Sequence, residues 1–217
     1  MNFTWADLNQ FDLFLFDMDG TLVNTEPLHA KAMEIALTEA GLKLPITAEE
    51  STERFAVMTD AMVLDVLFPG MQQTHIVNLI AQKNYLLGKV FRELPSTEKA
   101  ELMTSGLDTF LVKLKTEKKA LAVVSASEDS VVDATLDAFG LTHHFNFHMG
   151  RGKTARTKPF PDPYIEAMNR AGIPRERTLI FEDSMTGMAS AISSGAQVIK
   201  VAPFSSQDGL KSFYLPV

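Results

Sequence analysis

The stretch Phe11-Asp-Leu-Phe-Leu-Phe-Asp-Met-Asp-Gly-Thr21 decides the fold. Its apolar run stops abruptly at two carboxylates, Asp17 and Asp19, and a glycine follows at once. An apolar run of this length, bounded by glycine, predicts a buried strand over Leu13–Phe16. In open α/β sheets the ligand crevice lies beyond the carboxyl ends of the strands. Two acids placed there are badly sited for packing and well sited for chemistry. The competing reading is a strand end dressed with solvated aspartates.

Working outward, residues 26 to about 95 are helical in pattern and hold no convincing strand. Pro27 suits a helix start, where its missing N–H would be an orphan in any case. Ala30, Met33, Ile35, Ala36 and Leu37 recur near a 3.6-residue period, Gly41 closes that helix, and Thr47-Ala-Glu-Glu50 resembles a capping box. Further helices are expected over 59–68 and 74–91. Beyond them the rhythm becomes strand–helix alternation. Strands are expected at Ala120–Val124, 145–147, 178–181 and 197–201. Helices are expected at 107–118, 129–139, 163–171 and Met185–Ser194. Such alternation predicts an α/β, Rossmann-like parallel sheet with right-handed crossovers and flanking helices. The helical block reads as an inserted domain, 26–95, within a core made of 1–25 and 96–217. Its hinges are expected near 23–27 and 95–106.

Composition narrows the function classes. The chain has 217 residues and 46% hydrophobic content, enough for one large domain or a domain with an insertion. Its formal net charge of −7 argues against nucleic acid and anionic membrane as partners, both of which select for positive surface. With no cysteine, disulfides, thiolate catalysis and Cys-ligated zinc are excluded. The N-terminal stretch shows no signal-peptide pattern, and no apolar run is long enough to span a membrane, so a cytoplasmic protein is the default expectation.

Three expected strands end in reactive-looking groups: Asp17 and Asp19, Ser125, and Glu182 with Asp183. In a parallel sheet all three sets share one edge. Four carboxylates in one site repel each other and raise some pKa values. A hard divalent cation resolves this, and Mg²⁺ favours a few carboxylates plus phosphate and water. Lys158, in the loop Arg156-Thr-Lys-Pro-Phe-Pro-Asp162, is placed to offset that charge and hold a phosphate oxygen.

These motifs together resemble the haloacid dehalogenase superfamily. Asp17-Met-Asp-Gly-Thr21 matches its first motif, Ser125 its second, Lys158 its third and Glu182-Asp-Ser-Met-Thr-Gly187 its fourth, in that order. The insertion after the first motif resembles the subgroup with a small α-helical cap, which includes β-phosphoglucomutase and many small-molecule phosphatases.

The resemblance implies a Mg²⁺-dependent phosphatase acting on a small phosphorylated metabolite. It implies Asp17 as the nucleophile that forms an aspartyl-phosphate and Asp19 as general acid and base. It implies Mg²⁺ held by the Asp17 carboxylate, the Asp19 backbone carbonyl and Asp183, with Glu182 contributing directly or through water. Ser125, the backbone N–H of Ala126, and Lys158 would bind the phosphoryl group. Dehalogenase members lack the second aspartate, so Asp19 favours phosphoryl transfer. Phosphonate-cleaving members use a cap lysine, and nothing in the sequence singles one out among Lys31, Lys43, Lys83 and Lys89.

A β-phosphoglucomutase-type mutase is the alternative. His29, twelve residues after Asp17, matches a histidine near that enzyme's hinge and is a candidate hinge or substrate residue. Against the mutase, Ala56 and Val57 stand where related caps carry glycine and a basic residue, and Asn24 replaces a commoner aspartate. A non-catalytic phosphate-binding or phospho-acceptor module is the alternative from another class, but all four motif positions are filled.

Weaker signals have bland readings. Gly152-Lys-Thr154 lacks the first glycine of a Walker loop, because position 147 is Phe147. Arg151, Lys153 and Arg156 read as a solvated loop that could steer anions. His143, His144 and His148 read as a surface turn rather than a metal site. A monomer is compatible with this organisation, since a helical insertion can close a site without a second subunit.

Overall fold

The structure, a computed structural model, describes residues 5–47 and 58–201. The proposed capping box at 47–50 and the departures at Ala56 and Val57 therefore lie, wholly or largely, outside the described residues. The chain divides into two compact units, Met1–Asn24 with Thr97–Val217, and Thr25–Ser96.

The first unit is built on five parallel strands in the order β3-β2-β1-β4-β5. They are β1 (Leu13–Phe16), β2 (Ala120–Val124), β3 (Phe147–Met149), β4 (Thr178–Glu182) and β5 (Gln197–Lys200). A short α1 (Trp5–Leu8) precedes β1. The central strands β1 and β4 are buried along their whole length, as expected for a sheet covered on both faces. Side-chain alternation sorts them onto two faces. Leu13, Leu15, Ala122, Val124 and Ile180 pack with Tyr164, Ala167, Met168 and Ala191. These last residues come from the helices Asp162–Ala171 and Met185–Ser194. Phe14, Phe16 and Phe181 occupy the other face. Phe16 stacks on Phe181 at 4.8 Å and meets Phe110 of the helix Leu107–Thr116 edge-on at 6.3 Å.

The second unit contains α2 (Glu26–Glu39), α3 (Asp60–Leu67) and α4 (Gln73–Glu93), and no strand among its described residues. Met33, Leu37, Leu64, Ile76 and Leu79 form its apolar core. The helices that follow in the chain are α5 (Ser96–Leu102), α6 (Leu107–Thr116), α7 (Asp129–Ala138), α8 (Asp162–Ala171) and α9 (Met185–Ser194).

Two expectations are corrected. The strand expected at 145–147 is Phe147–Met149. Asn146 caps the ladder instead: its N–H donates to the Leu121 carbonyl and its Oδ1 accepts from the Leu121 N–H, both at 2.8 Å. Pairing with β2 begins only at Phe147, opposite Ala122. The division between the two units falls within the expected ranges 23–27 and 95–106, and the second range also holds α5, whose Leu102 carbonyl accepts from Asn24 N–H at 2.8 Å. β4 extends through Glu182, one residue further than its apolar run. That extra residue matters, because ladder pairing fixes which way Glu182 points.

Candidate active site

Strand register builds the site. Phe16 pairs with Phe181, and the Asp17 N–H donates to the Phe181 carbonyl at 3.0 Å. Asp17 therefore continues the Leu13/Leu15 alternation of β1, while Glu182 continues the Ile180 alternation of β4. Both carboxylates emerge side by side on the face covered by α8 and α9. Glu182 is fully buried and Asp17 is 6% exposed.

Lys158 joins them. Its Nζ lies 2.6 Å from Asp17 Oδ1 and 2.6 Å from Glu182 Oε1. The Tyr164 hydroxyl, on α8, donates to Glu182 Oε1 at 3.0 Å, and the Lys158 ammonium lies 5.0 Å from the centroid of its ring. Ser184 donates to Glu182 Oε2 from both its N–H and its hydroxyl, each at 3.1 Å. Glu182 is thus saturated with donors, which is what a fully buried carboxylate requires. α9 crosses so closely that a Cβ on Gly187 would stand 1.7 Å from Glu182 Oε1.

Asp183 lies at the open side of the group, where Thr21 Oγ1 donates to its Oδ1 at 3.3 Å. The turn after β1 presses against it. Gly20 has φ +86°, and a Cβ there would stand 2.2 Å from Asp183 Oδ2. Glycine is required at position 20 on both counts. One ligand oxygen each from Asp17, Glu182 and Asp183 fall within 4.8 Å of one another.

The electrostatics follow from burial. Burial pushes Asp17 well above the usual carboxylate range; Lys158 opposes this, and Glu182, Asp183 and Asp19 add to it. Burial also raises Asp183, to about 6, with repulsion from Glu182 reinforcing it. For Lys158 burial works in the opposite sense, but Asp17, Tyr164 and Glu182 outweigh it and hold the ammonium protonated. Two buried carboxylates and the half-buried Asp183 around one ammonium leave surplus negative charge, and a hard cation would remove it. The oxygen-only donor set fits Mg²⁺, with Asp17 and Asp183 the carboxylates best free to hold it. Glu182 is committed to Lys158, Tyr164 and Ser184, so its contact with a metal would be the secondary one.

Asp19 is half-buried and held from the β2 exit loop. Ser127 Oγ lies 2.9 Å and Ser125 Oγ 3.4 Å from Asp19 Oδ2. The Ser127 N–H donates back to Ser125 Oγ at 3.0 Å. Ala126 lies between them, exposed. The sequence reading overlooked Tyr164, Ser127, Thr21 and the close approach of Gly187. Tyr164 sits among apolar residues that read as core, and Ser127 was in view, two residues from Ser125, with nothing to show that both hydroxyls converge on one carboxylate.

Other candidates fall elsewhere. His29 belongs to the helical unit, where its Nδ1 lies 2.7 Å from the Nζ of Lys83. Lys83 is 2% exposed and also binds Asp60 Oδ2 at 2.9 Å. The structure thus singles out one of the four lysines, and an ammonium paired in this way is a poor amine nucleophile. In the basic loop, Arg156 forms a two-point contact with Asp162 at 2.9 and 3.0 Å. Arg151 lies 3.5 Å from Glu128, and Lys153 lies 3.6 Å from Asp129. The surface-turn reading fails for His144, which is 2% exposed with Nε2 2.9 Å from Asp108. His148 is held separately by Asp133 at 2.6 Å.

No helix among the described residues is long and apolar enough to cross a membrane. The fructose-1-phosphate phosphatase YqaB of Escherichia coli is 27% identical over 187 residues, covering 86% of this chain and 94% of that protein. A phosphorylated carbohydrates phosphatase of Thermotoga maritima is 25% identical over 202 residues, covering 90% of this chain and 87% of that protein. Among solved structures, CbbY of Rhodobacter sphaeroides in complex with phosphate superimposes with a TM-score of 0.76. It is 23% identical and covers 94% of this chain and 92% of that one, a likeness of fold. The haloacid dehalogenase-like hydrolase model matches residues 14–201, spanning the strands that carry Asp17, Ser125 and Glu182 and the loop that carries Lys158. This chain, an enzyme, belongs to the haloacid dehalogenase-like hydrolase family.

Proposed function

We propose that the protein is a Mg²⁺-dependent phosphatase that hydrolyses a small organic phosphate monoester through an aspartyl-phosphate on Asp17. The observation that carries this reading is the gathering of Asp17, Glu182 and Asp183 within 4.8 Å at one sheet edge, with Lys158 bridging two of them. The names of the relatives, phosphatases of fructose 1-phosphate and of phosphorylated carbohydrates, support a sugar phosphate or similar metabolite as substrate.

In the first half-reaction an Asp17 oxygen attacks phosphorus and the bond to the leaving oxygen breaks. Asp19, protonated, gives its proton to that oxygen. In the second, Asp19 takes a proton from water, which attacks the phosphorus and releases Asp17 and inorganic phosphate. Splitting the displacement lowers the barrier of each step. Lys158, Ser125 and the Ala126 N–H hold the phosphoryl oxygens and stabilise their charge. Glu182 and Tyr164 hold the Lys158 ammonium in place. Mg²⁺, held by Asp17, the Asp19 carbonyl and Asp183, supplies charge that shields the nucleophile from the phosphate and stabilises the transferring group. The segment 26–95 acts as the cap that selects substrate, and the enzyme works in the cytoplasm.

The test is phosphate release from a panel of sugar phosphates, nucleotides, phosphoglycolate and p-nitrophenyl phosphate, with and without Mg²⁺. Metal-dependent turnover that disappears in Asp17→Asn is the expected result. Turnover retained by Asp17→Asn would overturn the assignment of the nucleophile. Formation of glucose 6-phosphate from β-glucose 1-phosphate faster than phosphate release would make the enzyme a mutase instead.

A further inference from the structure

The loop after β3, which the sequence offers only as a failed Walker motif and a basic cluster, is built tightly into the loop after β2. A Cβ on Gly150 would stand 2.7 Å from the Asp129 backbone nitrogen and 2.8 Å from the Ser127 carbonyl oxygen. The Gly150 backbone is extended, with φ −92° and ψ −177°, so the requirement for glycine there is space rather than conformation. The Gly150 N–H donates to Asp129 Oδ1 at 3.0 Å, and the Arg151 N–H donates to the Ser127 carbonyl at 2.9 Å. A Cβ on Gly152 would stand 2.7 Å from Asp129 Oδ2. Lys153 Nζ adds an ion pair to Asp129 Oδ1 at 3.6 Å.

These contacts grip residues 127 and 129 from one side. On the other side Ser127 Oγ holds Asp19 Oδ2 at 2.9 Å. We propose that Gly150 and Asp129 are positioning residues: they fix the Ser127 hydroxyl, and through it the Asp19 carboxylate, for proton transfer to the leaving oxygen. The proposal rests on the reading of Asp19 as the general acid. Its physical basis is that beyond Ser125, whose N–H donates to the Met149 carbonyl at 2.9 Å, residues 126 and 127 of the β2 exit loop lie outside strand and helix, so their placement is set by what packs on them. A carboxylate held within a fraction of an ångström of its productive place keeps the advantage of acid catalysis, which amounts to ~10²–10⁴-fold.

The consequence is selective by leaving group. When an alkyl phosphate transfers its phosphoryl group to Asp17, the P–O bond breaks and the departing alkoxide must take the Asp19 proton. When p-nitrophenyl phosphate does so, p-nitrophenolate departs as the stable anion and needs no proton. We would measure kcat/KM, which reports the first transfer, for fructose 1-phosphate and for p-nitrophenyl phosphate. Ser127→Ala and Gly150→Ala should each lower the alkyl-to-aryl ratio roughly tenfold or more. Ser127→Thr, which keeps the hydroxyl, should restore it. Asp129→Asn, which keeps an acceptor for the Gly150 N–H, should stay near wild type, whereas Asp129→Ala should fall with Gly150→Ala. An equal loss on both esters would mean a merely structural role and would overturn the proposal, as would no loss on either. Asp19→Asn separates the two levels of the argument. If it leaves the ratio unchanged, the reading of Asp19 itself fails. If it lowers the ratio while Ser127→Ala does not, only the positioning proposal fails.

Discussion

Replacing Gly187 by alanine puts a methyl group where the Glu182 carboxylate stands. The new Cβ would lie 1.7 Å from Oε1, 2.0 Å from Cδ and 2.2 Å from Oε2. Ordinary van der Waals contact begins near 3.4 Å, so the carboxylate or the helix must retreat by more than an ångström. Neither is free to do so. Glu182 is fully buried and bound by Lys158 at 2.6 Å, Tyr164 at 3.0 Å and Ser184 at 3.1 Å. If the helix yields, the cost is that of overpacking, about 1–3 kcal/mol. If the carboxylate yields, a buried ion pair breaks, at about 3–5 kcal/mol. The better helix propensity of alanine returns only about 1 kcal/mol. The helix route is the cheaper, and an overlap this severe puts it at the upper end of its range, so the net loss should be about 2 kcal/mol, or roughly 4–8 °C in Tm for a chain of this size. Thermal unfolding followed by circular dichroism measures it. In a Glu182→Asp background, where the carboxylate is one methylene shorter, the alanine should be tolerated better, giving a coupling of about 1 kcal/mol or more in the double-mutant cycle. A Gly187→Ala protein as stable as wild type, or more stable, would refute the reasoning.

Three further outcomes follow from the same physics. Asp183 is raised to about 6, so its charged form destabilises the metal-free fold above that pH, and the penalty fades as pH falls towards the ordinary value of 3.8. This amounts to about 3 kcal/mol at most. Adding Mg²⁺ should therefore raise Tm more at pH 7 than at pH 5, and a larger rise at pH 5 would contradict the linkage. Burial lowers His144, helped by His143 and opposed by Asp108, so stability from this group is present above about 6.5 and lost as pH falls below it. With Mg²⁺ saturating, His144→Gln should flatten the dependence of Tm on pH between 7 and 5; an unchanged slope would assign it to another group. In the helical unit, Asp60→Ala leaves the buried Lys83 ammonium without its carboxylate and, because the Asp60 side chain is itself 36% exposed, should destabilise by about 1–3 kcal/mol. Adding Lys83→Met should recover part of that loss in chemical denaturation, and a further loss would show that the charge itself is needed.

Some elements of this protein are legible because their cause is local. The apolar run of β1 stops where Asp17 begins, and the helix Met185–Ser194 starts at a Ser184 cap whose hydroxyl accepts from the Gly187 N–H at 3.0 Å. Phe145 misled the reading of β3 because an apolar residue need not be a paired one: its ring meets Phe16 edge-on at 5.9 Å, while the ladder starts two residues later. α5 escaped notice because a polar seven-residue helix with no buried residue carries no periodic signal.

The amino-acid sequence by itself determined the parallel α/β architecture, the helical insertion and the identity of the charged groups at the strand ends. These depend on composition, periodicity and order along the chain. Only the tertiary structure decided which groups touch. The ladder register put Asp17 and Glu182 on one face, close packing of α9 made Gly187 obligatory, and two loops 20 residues apart or more met around Asp129 and Gly150. Lys83 became distinct from the other lysines only by being buried between His29 and Asp60. Such contacts arise between residues remote in the chain, through burial and distance, and neither quantity is written in local spacing.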